Sequence, residues 1–525
     1  MRRYGRGPGT GLRALAPQAL EKIPRSYHLT DYVTVPDDLP PVTVSVNLPE
    51  AGDGYIFIAP YERRIGGTPY SPYLLIVDGT GELVYHKKLP AEAVDFKKQV
   101  GEVLSYARAS RHSIMDSTYN VVDAITAANG YHSDFHDFQI LPNGHVLLLI
   151  YEERQIDMSQ IAPGGYPDAT VVGCRVQELD QARDVVFEWS SFDHIPITDT
   201  TKSLLDQRID YVHCNAIELD SDGHLLLSCR DTDQVIKINR DTGDILWRLG
   251  GKANQFEFVN AIGAEDVEFI KQHDVRRVAN GNITLFDNRL GAANYSRAVE
   301  YQLDEVASLT GTNRIATLVW EYRNTPDIHG HILGNAQRLP NGNTLIGWGS
   351  GHPAVAEVTR GGAKVFELLL PLEMQNYRAF RFPWVGRPDT EPTLVVETEN
   401  LTTTTLSYSW NGATDVAAYR VYGDPSGFPT TLLKVEPKTG FETTTVFTGL
   451  ADSGYNFRVV PLDEAGEPMI PDPDTPTPTN TSTPTVTPTA TPTPTVTPTA
   501  TATATPTATP TTMHQVYLPL LWKSR

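Results

Sequence analysis

The chain of 525 residues is poor in three things, and each shortage removes a class of answer. It has only three cysteines, Cys174, Cys214 and Cys229, and no CxxC among them. That excludes a disulfide-dense scaffold and argues against structural zinc. It has no stretch approaching the ~20 consecutive apolar residues of a membrane span, so no transmembrane segment is expected. It is short of positive charge, with 43 basic against 63 acidic residues, a net charge of −20. With no Lys/Arg run to offset it, such a surface repels nucleic acid and anionic membranes, and an anionic small molecule would need its own local cluster of Arg and His. The amino end, residues 1–39, carries basic residues but lacks the ~7 to 15 apolar residues at the heart of a signal peptide. No signal peptide is evident there, and a start further upstream is expected.

What the chain does have is repetition. Three times a histidine opens a short apolar run that turns on a glycine and returns as a second apolar run: His136 in HDFQILPNGHVLLLI, His213 in HCNAIELDSDGHLLLSC and His273 in HDVRRVANGNITLF. Gly144, Gly223, Gly281 and Gly342 mark four such turns, at gaps of 79, 58 and 61 residues. Each is followed by a second hairpin ending in an aromatic, at Trp189, Trp247, Trp320 and Phe366. Runs rich in Val, Ile, Leu and Tyr, bounded by DG, NG or TG, are hairpin signals. Roughly four strands per unit at a period of about 50 to 60 predicts an all-β fold, a six-bladed β-propeller over 40–388. The six units fall near 50–92, 93–130, 132–193, 211–255, 270–325 and 332–375, the second having the weakest turn punctuation.

After about residue 388 the strands shorten. TLVVETENLTTTTLSYSWNG, AAYRVYGD, TTTVFTGL and GYNFRVVPLDEAGE read as a seven-strand sandwich over 391–466. Trp410, Leu450 and Tyr455 there resemble the core tryptophan and tyrosine-corner pattern of a fibronectin type III domain. That resemblance implies a spacing or adhesive module. Residues 471–512 are almost all Pro and Thr, an extended linker or stalk without a core. Residues 513–525 return to apolar character, like the terminal tails of some bacterial surface proteins, and the expected location is extracellular or at the cell surface.

In a propeller the first strand of each blade lines the central channel, so His136, His213 and His273 are expected to converge. One hairpin can be read more closely. If its centre falls between Ser221 and Asp222, His213 faces Arg230 and Cys214 faces Cys229. Opposed residues share a face of the sheet. The thiols are then neighbours, either bridged or free. A lone histidine beside a strand is usually structural; three at equivalent positions with an opposed arginine argue for a shared site. His132, His329, His331 and His352 lack the repeat position and read as loop or rim residues. Asp137 and Asp274, directly after their histidines, are expected to brace neighbouring strands.

These segments, with FIKQHDVRRVANGNITLFDNR, YSRAVEYQLD and DFHDFQILPNGH, resemble the bacterial arylsulfate sulfotransferases over roughly 40–385. The resemblance implies nucleotide-independent transfer of a sulfuryl group from an aryl sulfate to a phenol, without cofactor or metal. It implies catalytic roles for His213, Arg230, His273 and His136, with His273 the transiently sulfonated nucleophile. Arg297, Asn215 and Asn288 are expected to contact substrate. The chain departs from the family at Cys214-Asn215-Ala216, at Ser228-Cys229-Arg230 and at Asn288-Arg289, which bears on acceptor choice. The expected partners are small molecules, and a homodimer is left open. A competing reading has His136, His213 and His273 holding zinc or copper. Another is a non-catalytic surface adhesin.

Overall fold

The computed structural model describes residues 32–472 except 64–66, 292–293, 307–313, 401–402 and 451–453. Most of the 1–39 extension, nearly all of the 471–512 stalk and the whole 513–525 tail lie outside the described residues.

Among the described residues six sheets of four or more strands follow one another along the chain, antiparallel except for one added parallel strand in the third and one in the fifth. The third runs through Ser133–Ile140, Val146–Ile156, Ala169–Leu179 and Val185–Ser190; the fourth through Cys214–Leu219, Leu225–Cys229, Gln234–Ile238 and Ile245–Leu249; the fifth through His273–Arg277, Ile283–Asp287, Arg297–Asp304 and Arg314–Arg323. Middle strands such as Tyr73–Val77 and Leu225–Cys229 are buried at every position. The reason is that both faces of each sheet are covered by neighbouring sheets, which favours unbroken apolar runs over alternation. Each sheet shares an apolar core with the next, and the sixth shares one with the first. The fold is nearly all β and propeller-like.

Two short strands close the ring. Thr43–Asn47 adds to the outer edge of the sixth sheet, and Phe380–Phe382 supplies the inner edge of the first. The sequence signals neither, because each is five residues or fewer and pairs with strands hundreds of residues away. Gly144, Gly223, Gly281 and Gly342 all take φ between 79° and 88°, the left-handed turn positions their repeat implied. The second sheet forms as well, over Val94–Gln99, Val103–Arg108, Arg111–Met115 and Val121–Ile125. Its punctuation is weak because one turn is carried by Ala109 at φ 54°, where Gly or Asn is usual.

Two findings correct the sequence reading. The 215–228 hairpin is centred on Asp222, with Leu219 opposite Leu225 and Ala216 opposite Ser228. A register shift between Cys214 and Ala216 then restores the Cys214–Cys229 opposition, so the expected pairing arises from a bulge at Asn215. Among its described residues the region after 391 has six strands in two three-stranded sheets, where seven were expected. Trp410 is buried there with Tyr408 and Tyr419. This layer packs on the first two sheets, where the Tyr119 hydroxyl donates to the Gly412 carbonyl at 2.8 Å and Tyr119 stacks on Tyr85 at 3.9 Å.

Candidate active site at the channel mouth

The inner strands of the third, fourth and fifth sheets all begin in irregular register, between Ser133 and Phe138, Cys214 and Ala216, and His273 and Arg276. Bulges re-aim side chains, and here the re-aimed residues include the three histidines. His213 itself sits at φ 52°, a strained setting for a residue with a Cβ. The rings of His136 and His213 lie 4.9 Å apart and those of His213 and His273 6.5 Å apart. All three side chains are buried.

Each imidazole is held by its Nδ1. Asp134 takes that of His136 at 2.7 Å, and Asp210 that of His213 at 2.7 Å. Between them the Tyr151 hydroxyl lies 3.4 Å from His136 Nδ1 and 3.2 Å from His213 Nδ1. Burial raises that phenol well above its ordinary range, so it stays protonated. His273 Nδ1 is 2.7 Å from Asn288 Oδ1. The amide cannot be turned the other way, because its Nδ2 donates to the Gly330 and Leu333 carbonyls at 2.6 and 2.9 Å. Asn288 therefore accepts from His273 Nδ1–H, and the Nε2 lone pair of His273 is left free to act. Burial, then the charge of Arg230, hold the His273 imidazole well below its ordinary pKa, so it is neutral. Burial also lowers His136, against the pull of Asp134.

Arg230 begins the short 3₁₀ turn that follows Leu225–Cys229, and its backbone N–H donates to the His213 carbonyl at 3.0 Å. Its Nη1 donates to Asp231 at 2.8 Å, while its Nε is buried without a partner. Lys202 and Lys271 approach Asp231 at 3.4 Å each. Burial alone would raise the Asp231 carboxyl, but Arg230, His213 and the two lysines hold it below its ordinary value. The mouth thus sets one arginine and two lysines beside the histidines in a chain of net charge −20. Phe135 stacks on His136 at 4.3 Å between ring centroids and is partly buried, giving the cluster an apolar wall.

Three expected substrate contacts are placed otherwise. Arg297 is fully buried within the fifth sheet, its guanidinium spent on Asp287 at 2.9 Å, Glu321 at 2.6 Å and the Asp266 and Glu268 carbonyls at 2.8 Å each. Four of its five N–H groups are thus committed within the sheet, and Arg297 reads as a structural pair-former. Asn215 ties the fourth sheet to the fifth, donating to the Gln272 carbonyl and accepting from the Asp274 N–H. Asn288 orients His273. Both position the site instead of facing a ligand. The sequence reading missed Asp134, Asp210, Tyr151 and Asp231. The first two stand two and three residues before their histidines, a visible but uneven spacing; Tyr151 comes from a second strand with no local cue.

The three histidines do not form the metal set considered from sequence. Among the described residues the compact ligand group at this mouth is instead Asp210, His213 and Asp231, and Arg230 is bonded to its Asp231. A fixed guanidinium there opposes a cation.

Residues 110–370, which contain every histidine and arginine of the cluster, match the family model described as arylsulfotransferase (ASST). Over this stretch the chain is arylsulfotransferase-like. The match is narrower than the resemblance read from sequence, leaving out the first sheet, the first two strands of the second and everything after residue 370. No curated protein matches. Among solved structures, a Bacteroides caccae protein of unknown function is 14% identical, covering 62% of this chain and 98% of its own, at a TM-score of 0.39. A catalytically inactive virginiamycin B lyase from Staphylococcus aureus with quinupristin is 9% identical, covering 70% and 96%, at 0.33. A Lactobacillus plantarum protein is 14% identical, covering 76% and 99%, at 0.33. Among the described residues no helix is long and apolar enough to cross a membrane.

Proposed function

We propose that this arylsulfotransferase-like chain moves a sulfuryl group from an aryl sulfate to a phenol by way of sulfonated His273, with no nucleotide donor. The observation that carries the reading is the tautomer of His273: Asn288 takes Nδ1–H, leaving a neutral Nε2 beside Arg230. In the first half-reaction Nε2 forms a bond to sulfur as the S–O(aryl) bond breaks. The phenolate leaves with the Nε2 proton of an imidazolium, His136 or His213, whose Nδ1–H is held by Asp134 or Asp210; burial disfavours that charged form at His136, which makes His213 the better donor. Arg230 meets the charge growing on the sulfuryl oxygens. The second half-reaction reverses these roles with the acceptor phenol.

The ring of six sheets is read as a six-bladed propeller over 40–388, the six-strand layer over 391–466 as a fibronectin type III-like module, and the location as extracellular or at the cell surface. Incubation with a chromogenic aryl sulfate and a phenol, without nucleotide, tests the reaction. Release of phenol dependent on acceptor, with ping-pong kinetics, is expected. Failure to cleave any aryl sulfate, with the protein folded, overturns it.

A further inference from the structure

The chain has three cysteines, and the fold brings all of them to one place behind the histidine cluster. Cys174 lies on Ala169–Leu179 directly opposite Tyr151, the residue between His136 and His213. Cys214 and Cys229 are the next residues along from His213 and before Arg230, facing each other across the innermost hairpin of the fourth sheet. Their sulfurs are 3.6 Å apart. All three thiols are buried in the core between the third and fourth sheets.

The backbone at this pair suits a covalent bond. The Arg230 N–H donates to the His213 carbonyl at 3.0 Å, which holds the hairpin closed just beyond the two cysteines. Directly opposed residues of an antiparallel pair, as 214 and 229 are, have Cα atoms about 4.5 to 5.5 Å apart. That falls within the roughly 4.4 to 6.8 Å that disulfides span. A sulfur–sulfur bond of about 2.0 Å needs the two side chains to close by about 1.6 Å between them, a small rotation about each Cα–Cβ bond.

We propose that Cys214 and Cys229 are a disulfide-forming pair, joined while the fourth sheet folds and before the third covers it, leaving Cys174 as the single free thiol. The bond forms as two thiols lose two protons and two electrons to an external disulfide, which is reduced to two thiols. It would staple the strand ends that carry His213 and Arg230. Once the sheets pack, burial keeps Cys174 and Cys214 as unreactive thiols or shields the finished bond. The proposal does not depend on the reaction assigned above.

The test needs only the full chain. It is made by cell-free translation in a buffer dominated by glutathione disulfide, and separately in reductant, then unfolded in iodoacetamide without reductant and weighed. The expected product from the oxidising buffer carries one carbamidomethyl group, on Cys174, and a peptide link between Cys214 and Cys229. The product from reductant carries three, and still carries three when the folded protein is exposed to glutathione disulfide before unfolding. Three labels in the oxidising preparation, or a link that includes Cys174, overturns the pairing. Rapid closure in the already folded protein overturns the order of events.

Discussion

Two buried polar clusters sit one beneath the other in the channel, and they are built on opposite principles. The deeper one holds Lys97, Arg276 and Arg378 against Asp95, Asp137 and Asp274. Lys97 lies 2.7 Å from Asp95 and 2.8 Å from Asp137, and Arg276 lies 2.7 Å from both Asp137 and Asp274. Arg378 lies 2.9 Å from Asp95 and donates to the Asn215 carbonyl at 2.6 Å. Three cations face three carboxylates. Burial alone would raise the Asp137 carboxyl, yet Arg276, Lys97 and Arg378 hold it well below its ordinary range. The upper cluster is left incomplete. Arg230 is bonded to one carboxylate, and His273 presents a free lone pair at Nε2. Compensated charge locks a fold, whereas uncompensated buried groups mark a place meant for something else.

The largest effect that could break this contrast is at His273. His273→Ala should abolish transfer while the protein stays folded, and exposure to donor alone should leave no acid-labile sulfonated protein by mass spectrometry. Full activity in that variant would remove the covalent intermediate. In the lower cluster the sign of the outcome reverses. Arg378→Ala leaves three interior carboxylates to two cations, Lys97 and Arg276, and should cost about 3–5 kcal/mol of stability in urea unfolding, the range for breaking a buried ion pair. An Arg378 variant that unfolds like the parent but loses activity would show that the two clusters are not separable.

Arg230→Ala sharpens the comparison from the other side. Leaving Asp231 with Lys202 and Lys271, it should cost little stability. Both half-reactions should slow by on the order of 10²-fold, the scale of a lost oxyanion donor. Single-turnover measurements with donor and with acceptor separate the two. A loss confined to one half-reaction would show that Arg230 does not follow the sulfuryl group through both. Asn288→Ala should have a smaller effect on rate, since it frees the His273 tautomer without removing the nucleophile. Asn288→Asp should recover part of it, because a carboxylate oxygen also accepts from Nδ1–H.

The contrast also explains what sequence could and could not reveal. The glycine turns and unbroken apolar runs made the sheets legible, and the repeated histidine made the mouth legible. Charged partners were not legible, because a buried ion pair leaves no period in the chain. Asp137 and Arg378 are 241 residues apart, and Arg297 looks like a ligand residue until Asp287 and Glu321 are seen beside it. The bulges that follow His213 and His273 along their strands are equally silent, since one extra residue in a strand does not change its composition. Closure by Thr43–Asn47 and Phe380–Phe382 was hidden by length and distance.

The smallest effect is the most specific. His273 is depressed first by burial and then by the positive charge of Arg230, and both disfavour the imidazolium. The neutral nucleophile therefore persists as pH falls below the ordinary histidine value of about 6.5. The acid limb of the sulfonation half-reaction should lie below that pH. The same sign holds for stability: a histidine buried neutral contributes fully above its unfolded pKa, and that contribution is lost as pH falls through the lower folded value. Replacing Arg230 by methionine keeps the bulk and removes the charge. A proton then binds His273 more readily, and the acid limb should move up toward 6.5, though not all the way, because burial remains the larger cause. The measurement is the pH dependence of single-turnover sulfonation in parent and Arg230→Met. An acid limb that stays in place while the rate falls would mean that Arg230 serves the sulfuryl oxygens alone and leaves the proton affinity of His273 untouched.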